Sequence, residues 1–214
     1  MAKKAEALTA APLVAKDASI AELAAAANAC RACPIGEKAT QVVFGEGPMH
    51  ADVLFVGEQP GDQEDKSGHP FVGPAGKVFD RALDEAGIDR ARAYVTNAVK
   101  HFKWEPRGKR RIHAKPIASE IRACKPWLEA EIERVKPRAV CVLGATAAQS
   151  LLGAAFRVTE RRGERIESDL APIVMATVHP SSILRARDDE ERGRAMERLV
   201  ADLKKLAEAL AEEA

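Results

Sequence analysis

The stretch DVLFVGEQPGD, residues 52–62, joins a short apolar run directly to a polar turn that contains glycine and proline. An apolar run of about four to eight residues that ends in such a turn is typical of a buried β-strand. Three further runs share this character. The sequence therefore predicts four strands, at Asp52–Gly57, Ala93–Val99, Ala139–Gly144 and Pro172–His179.

Segments with a helical pattern lie before, between and after these runs. We predict helices at Ser19–Asn28, Pro74–Ala86, Pro116–Val135, Thr146–Leu152 and Asp189–Ala211. Strands that alternate with helices form a parallel sheet with helices on both faces. The predicted fold class is therefore α/β, a three-layer α/β/α arrangement around a central four-stranded parallel sheet.

The length and composition of the chain fit one domain. It has 214 residues, of which 46% are hydrophobic, and this is enough for one full core. We expect a flexible N-terminus over residues 1–18 and a single domain over residues 19–214. Residues 1–18 lack the long apolar segment of a signal peptide or membrane span. We accordingly expect a soluble, cytoplasmic monomer that does not bind membranes.

Polar clusters follow three of the predicted strands. The first strand runs into Glu58–Asp62, the second ends at Thr96-Asn97, and the fourth ends at His179-Pro180-Ser181-Ser182. In open α/β sheets, ligands bind at the carboxyl edge of the strands, where loops and helix N-termini converge. The three clusters are therefore predicted to face one cleft.

Four cysteines, Cys30, Cys33, Cys124 and Cys141, suggest metal binding. Disulfides are rare in the cytosol, where thiols stay reduced. Four thiolates suit either a [4Fe–4S] cluster or a tetrahedral zinc ion, and the spacing does not choose between them. Burial without a ligand is a reasonable alternative for Cys141, which lies in an apolar strand, but a poor one for the Cys30–Cys33 pair.

A basic segment lies between Lys100 and Lys115. It holds seven Lys or Arg residues and one acid, a local charge of +6 in a chain whose net charge is +1. Such a segment can neutralise phosphates and release counterions. A charge run is more often a solvated surface loop, but its position directly after Asn97 favours contact with DNA.

These segments together resemble the uracil-DNA glycosylase superfamily, over roughly residues 28–210, and within it the iron–sulfur family 4 enzymes and their relative UdgX. Gln59 replaces an alanine of family 4, and an inserted loop carries Lys109–His113; both features resemble UdgX. The motifs that carry the resemblance are Gly57-Glu58-Gln59-Pro60-Gly61, Gly68-His69-Pro70-Phe71-Val72-Gly73, Asn97, His179-Pro180-Ser181 and Arg107-Gly108-Lys109-Arg110-Arg111-Ile112-His113.

The resemblance implies a pocket for a uracil flipped out of DNA. Phe71 stacks on the base, and Asn97 reads its edge, because an amide matches the O4 and N3–H of uracil. A strand-end cap is the alternative for Asn97. Backbone N–H groups around Gln59–Asp62 cradle the base, and Gly57 and Gly61 belong to the substrate-binding residues. His179 stabilises the departing uracil, while Glu58 positions water or stabilises the cationic sugar.

The resemblance to UdgX implies that His113 captures the sugar cation and forms a covalent adduct. Glu58 or Asp62 orients the His113 ring, and Gln59 belongs to the same catalytic set. Lys109, Arg110 and Arg111 contact phosphate. Ser181 and Ser182 also contact phosphate, and Leu184 or Arg185 fills the gap left by the flipped base. The four cysteines then hold a [4Fe–4S] cluster with a structural role.

Three hypotheses follow from these residues. The chain is a uracil-DNA glycosylase that forms a covalent adduct through His113, an ordinary family 4 glycosylase with multiple turnovers, or a DNA-binding module without enzymatic activity. The expected partner is uracil-containing DNA, with single-stranded DNA accepted. The first two hypotheses differ at His113, and the third leaves the pocket residues unexplained.

Overall fold

A computed structural model describes residues 8–213. The helices are α1 (Ile20–Ala27), α2 (Ile35–Lys38), α3 (Asp62–Ser67), α4 (Pro74–Ala86), α5 (Ala118–Val135), α6 (Ala145–Leu152), α7 (Val158–Arg161) and α8 (Asp189–Glu212). The strands are β1 (Val53–Gly57), β2 (Ala93–Asn97), β3 (Trp104–Arg107), β4 (Arg110–His113), β5 (Ala139–Leu143) and β6 (Ile173–Thr177). Short 3-10 turns occupy Ala11–Leu13, Arg90–Arg92 and Pro180–Arg185.

Four strands form a parallel sheet in the order β2-β1-β5-β6. Every residue of these strands is buried, as expected for a parallel sheet covered on both faces. The predicted three-layer α/β/α fold with four parallel strands is confirmed. Each of the four strands of this sheet lies within its predicted run, and α4 has the predicted ends.

Alternate residues of the sheet supply two cores. In β1, Val53 and Phe55 pack on one face with apolar residues of α4 and α8. Leu54 and Val56 point to the other face and pack with residues of α5 and α6. This alternation follows from the period of two along a strand. The charged faces of the amphipathic helices remain outside.

A third core cluster lies beside the sheet and contains Cys30, Cys33, Cys124 and Trp127. The N-terminal segment packs on it, because Ala10 is fully buried and its N–H donates to the Ala123 carbonyl over 2.8 Å. The flexible N-terminus over residues 1–18 stays a prediction, and Ala10 is the one buried residue among residues 8–18. The prediction for residues 1–7 lies outside the described residues.

The basic segment forms an antiparallel hairpin of β3 and β4, in which Trp104 faces His113 and Arg107 faces Arg110. Gly108 allows the turn, since its φ of 59° lies in the left-handed region. The sequence predicted a loop here. Over residues 8–213, the structure contains no helix with the length and apolar character that a membrane crossing requires.

Candidate active site

The candidate site lies at the carboxyl edge of the parallel sheet. Gly57 ends β1 and is paired in register with Asn97, which ends β2. Beyond β1 the chain continues to Glu58, and two residues beyond β6 it reaches His179. The structure thus brings three of the predicted polar clusters to one edge.

The side chains of Asn97 and Phe71 meet beside Gly57 at this edge of the sheet, and we call the site that these two residues and His179 border the slot. The two side chains approach the same side of Gly57, where a methyl group would lie 2.4 Å from Asn97 Oδ1 and 2.9 Å from Phe71 Cζ. Among residues 8–213, the Asn97 side-chain amide has no hydrogen-bond partner. Both its donor and its acceptor are therefore free for a ligand.

Phe71 is held in a strained conformation at the wall of this slot. Its φ is 58°, a left-handed value that is an outlier for a bulky residue. The Phe71 backbone packs directly on helix α4 at Gly76, where a methyl group would lie 1.7 Å from the Phe71 carbonyl oxygen. The Phe71 ring packs against Phe79 at 5.1 Å and stacks on His179 at 6.2 Å between centroids.

Glu58 is an ionised carboxylate beside two imidazoles. Burial raises the pKa of Glu58, but the hydrogen bonds from His113 and Thr146, together with the neighbouring imidazole rings, outweigh burial and hold it below its ordinary value. The Thr146 hydroxyl donates to Glu58 Oε2, and His113 Nε2 lies 3.3 Å from Glu58 Oε1. Of the two acids predicted to orient His113, the structure places Glu58 in contact with it.

His179 is neutral and presents a donor. Burial, above all, lowers the pKa of His179 to about 4, although Glu58 acts in the opposite direction. The Ser181 backbone N–H donates to His179 Nδ1 over 3.1 Å. The ring proton therefore lies on Nε2, which is the nitrogen available to a ligand.

Gln59 joins the two residues at which the chain enters and leaves the hairpin. Its Nε2 donates to the carbonyls of Lys103 and Ala114, at 3.2 and 3.1 Å, and its Oε1 accepts the Lys103 N–H at 3.1 Å. The predicted catalytic role of Gln59 is therefore corrected to an anchoring role, because its polar atoms are engaged on both strands.

Arg111 ties the hairpin to α3. Its Nε donates to Asp62 Oδ1 and its Nη1 to Asp65 Oδ2, both at 2.6 Å, and its guanidinium lies 5.5 Å from the centroid of the Trp104 ring. The predicted phosphate contact of Arg111 is replaced by this internal contact. Asp62 likewise binds Arg111 and Lys66, so the structure does not bring it to the His113 ring.

The remaining predicted DNA contacts lie on the hairpin and in the turn after His179. Lys109 and Arg110 are exposed at the hairpin tip, and Leu184 is a large apolar side chain that is 42% exposed. Ser182 donates to the His179 carbonyl over 2.8 Å, and Arg185 donates to Ser181 Oγ over 3.0 Å. The two serines therefore shape the turn after His179.

Gly61 has a different contact from the one predicted. Its N–H donates to Glu64 Oε2 over 3.1 Å, and the other Glu64 oxygen accepts the Gly73 N–H over 2.7 Å. The predicted contact of Gly61 with a base through its N–H is therefore not available in this structure. Glu64 instead connects the turn after β1 to the turn after Phe71.

Three cysteines share the third core cluster: Cys30, Cys33 and Cys124. Cys30 Sγ accepts the Trp127 indole N–H over 3.4 Å, and Cys124 Sγ accepts the Lys100 backbone N–H over 3.3 Å. Burial raises the pKa of the Cys124 thiol to about 12 in the free protein. Hydrogen bonds to sulfur are typical of iron–sulfur sites, so this donor set fits a cluster.

Cys141 lies apart from the other three cysteines. It faces the opposite core, between Phe55 and Met175 in the sheet, and its thiol pKa is raised by burial and next by Asp202. The predicted four-cysteine ligand set is therefore corrected, since the sheet separates Cys141 from the cluster that holds the others.

His101 was not predicted as a ligand, yet it lies beside the three cysteines. A methyl group on Gly36 would lie 3.1 Å from the Cys30 carbonyl and 3.4 Å from His101 Cε1. Burial and then Arg31 lower the pKa of His101 to about 4, so its ring is neutral. Its place between Cys33 and Cys124 in sequence was the available signal. In the described part of the chain, no three Cys, His, Asp or Glu residues are placed to hold a metal ion.

The fold and the site define an α/β protein with a ligand slot at the carboxyl edge of a parallel sheet. A model of the uracil DNA glycosylase superfamily matches residues 44–204, and the chain belongs to that superfamily. It is 40% identical to a type-4 uracil-DNA glycosylase of Thermotoga maritima, over 76% of this chain and 82% of that protein. It is also 31% identical to the type-4 uracil-DNA glycosylase of Archaeoglobus fulgidus, over 84% of this chain and 87% of that protein.

Proposed function

We propose that this protein excises uracil from DNA and then attaches itself covalently to the abasic sugar through His113. The observation that carries the proposal is the contact of His113 with Glu58, 3.3 Å apart, at the slot formed by Asn97, Phe71 and His179. The family of the chain supports the excision step. The position of His113 supports the capture step.

Uracil recognition uses the slot. A base must leave the helical stack before an enzyme can cut its glycosidic bond. Phe71 offers a ring face, and the free amide of Asn97 offers a donor for O4 and an acceptor for N3–H. Cytosine presents the reverse pattern at the corresponding positions and leaves both pairs unmatched. Gly57 has no side chain and therefore lets Asn97 and Phe71 approach each other closely.

Bond cleavage separates two charges. The electron pair of the bond between C1′ and N1 leaves with uracil, and the Nε2–H of His179 stabilises the developing anion. The sugar becomes an oxocarbenium-like cation, which the ionised Glu58 stabilises. The lowered pKa of Glu58 keeps that carboxylate charged at neutral pH.

Capture then requires a lone pair on His113. The reactive form of the ring is the neutral tautomer that carries its proton on Nδ1, so that the Nε2 lone pair is free; in the other tautomer, the Nε2 proton first passes to water while Nδ1 takes one up. That lone pair forms the bond to C1′, and the ring becomes cationic until Nδ1 loses its proton to water. An alkylated imidazole is a poor leaving group, so each molecule acts once.

Phosphate contacts fall to the residues left exposed near the slot. Lys109 and Arg110 extend from the hairpin tip, and Arg185 lies beyond His179. Leu184 is the exposed apolar side chain placed to fill the gap left by the flipped base. We propose single-stranded as well as duplex uracil-DNA as substrate, since these contacts require one strand.

A metal cluster completes the proposal. Cys30, Cys33 and Cys124 would hold a [4Fe–4S] cluster, and His101 is the neighbouring side chain that can supply a fourth ligand, as histidine does in other iron–sulfur sites. When bound, the cluster would cross-link the segment around α2 to α5 and add to the stability of the fold. The catalytic steps use the slot residues.

A denaturing gel tests the proposal. We expect the wild-type protein, mixed with a uracil-containing single strand, to give a heat-stable band of protein joined to DNA. The variants His113→Ala and His113→Ser should form no such band but still release uracil, because His179 and Glu58 remain and water enters the vacated space. Uracil release is measured after alkaline cleavage of the abasic strand.

The same gel distinguishes the alternatives. A free abasic product without any covalent band from the wild-type protein would identify an ordinary glycosylase with multiple turnovers. Intact DNA would remove the enzymatic hypothesis. A covalent band from the His113→Ala variant would assign the nucleophile to another residue and contradict the capture step.

A further inference from the structure

A buried ion pair lies behind the slot. Lys100 and Glu131 are both fully buried, and the Lys100 ammonium group donates to the Glu131 carboxylate. A buried pair of this kind is rarely the most stabilising choice, because well-packed apolar residues of similar volume often do as well or better. Its presence here therefore points to a requirement other than packing.

The three donors of the Lys100 ammonium group have three acceptors. Besides Glu131, they are Thr96 Oγ1 at 2.6 Å and the main-chain carbonyl of Asn97 at 2.7 Å. Asn97 is the residue whose side chain reads the base. Lys100 thus reaches back over three residues and holds the peptide that carries the reading side chain.

Glu131 in turn fixes Lys100 from the far side. Its carboxylate accepts the Thr96 hydroxyl at 2.9 Å, the Tyr94 hydroxyl at 3.1 Å and the Gly45 N–H at 2.8 Å. Alternate residues of β2 are therefore tied to one carboxylate on α5. This arrangement leaves the end of β2 little freedom to rotate.

The Asn97 side chain depends on its backbone for orientation. In residues 8–213 it has no hydrogen-bond partner, while the neighbouring peptides are tied to the other wall of the slot: Ala98 N–H donates to the Gly57 carbonyl at 2.9 Å and Val99 N–H to the Glu58 carbonyl at 3.0 Å. Rotation of the Asn97 peptide would move the amide and disturb Glu58 as well.

We propose that Lys100, held by Glu131, is a positioning residue for base recognition, which fixes the Asn97 carbonyl and thereby the direction of the Asn97 amide in the slot. This inference rests on the proposed function and deepens it. An apolar pair would fill the same space, but it would supply no donor to the Asn97 carbonyl.

The test separates positioning from stability with a double variant. Lys100→Met alone leaves the Glu131 carboxylate buried without its cation, so we expect a lower unfolding temperature. Lys100→Met combined with Glu131→Leu removes both charges and should recover only part of that loss, because the Gly45 N–H and the hydroxyls of Tyr94 and Thr96 lose their acceptor. We expect the affinity for free uracil, measured by calorimetry, to remain roughly tenfold or more below wild type in both variants, since a misdirected amide leaves buried polar groups of uracil unpaired.

Glu131→Gln is the matched control. The amide oxygen can still accept from Lys100, whereas the amide nitrogen cannot accept from Gly45 or Tyr94. This variant should therefore lose stability, and it should lose less uracil affinity than Lys100→Met, because Lys100 can still donate to the Asn97 carbonyl. Single-turnover rates of uracil release from DNA should rank the variants in the same order as their uracil affinities. The preference for uracil over cytosine should fall only in the variants that lack Lys100.

Two results would overturn the inference. The first is that the folded double variant binds uracil as tightly as the wild-type protein. The second is that Glu131→Gln and Lys100→Met reduce uracil affinity equally at equal stability. Either result would mean that the ion pair serves stability alone. If the wild-type protein itself binds no uracil, the proposed function fails and the inference with it. Circular dichroism of every variant, recorded below its unfolding transition, shows that binding is compared among folded proteins.

Discussion

At the scale of single residues, Gly57 determines whether the slot can admit a base. A methyl group at this position would overlap Asn97 Oδ1 at 2.4 Å and Phe71 Cζ at 2.9 Å. We predict that Gly57→Ala lowers the single-turnover rate of uracil release about a hundredfold, since displacement of reacting groups by about 1 Å has effects of this size. Gly193→Ala is the control, because no atom lies within 4 Å of the added methyl group. A Gly57→Ala variant with normal rate would place the base elsewhere.

Individual site residues were predictable where they follow the end of a strand. Glu58, Asn97 and His179 were found in this way, and the structure places all three at one edge. Gln59 and Arg111 were assigned the wrong contacts, because their partners lie 44 and more residues away in sequence and depend on how the hairpin folds back. His101 was missed for a similar reason, since only the fold brings it beside Cys30.

At the scale of elements, the hairpin of β3 and β4 carries two adjacent arginines, of which one anchors the strand that ends at His113 and the other faces solvent. Arg111 points inward to Asp62 and Asp65, and Arg110 is exposed. We predict that Arg111→Ala lowers the rate of covalent capture about tenfold or more while uracil release continues, because the His113 ring is no longer held in place. The measurement is the ratio of adduct to free abasic product over time.

Arg110→Ala is the matched comparison within the same strand. It should leave the capture ratio unchanged and weaken DNA binding, with the salt dependence of log K reduced by about one unit of slope for the one lost phosphate contact. Binding is measured as a function of salt with an oligonucleotide that lacks uracil. If the effects of the two arginine variants were exchanged, the assignment of inward and outward arginines would be wrong.

The elements of the main sheet were predictable, and the hairpin was not. Apolar runs such as Val53–Val56 show their burial directly in the sequence, and the ends of α4 are marked by Pro74 and Gly87. Most residues of the hairpin strands are instead exposed, and half of them are charged. Their pairing is stabilised by contacts with Gln59 and α3, which a local pattern does not reveal.

At the scale of the whole molecule, the sheet divides the four cysteines into two groups. Cys124 lies with Cys30 and Cys33, while Cys141 faces the other core. We predict that protein purified without oxygen is brown, that Cys124→Ala abolishes the visible absorption and bound iron, and that Cys141→Ala retains both. The Cys124 variant should also unfold at a lower temperature, because a cross-link between distant segments is lost.

Both cysteines are buried, so the two alanine variants remove similar side chains from similar surroundings. Loss of iron from the Cys141 variant would restore the four-cysteine ligand set suggested by the sequence. A colourless wild-type protein with stoichiometric zinc would contradict the cluster altogether. His101→Ala extends the comparison, since reduced iron content in that variant would support His101 as a ligand.

The anchoring of the hairpin has a consequence for how such a protein can arise from its relatives. Inserting the hairpin alone would not place a histidine at the slot, because Gln59 must close its base and Asp62 and Asp65 must receive Arg111. These positions lie in two separate segments of the chain. Relatives that have the hairpin should therefore also have the glutamine and both aspartates. A relative that has lost Arg111 no longer needs the two aspartates as its partners.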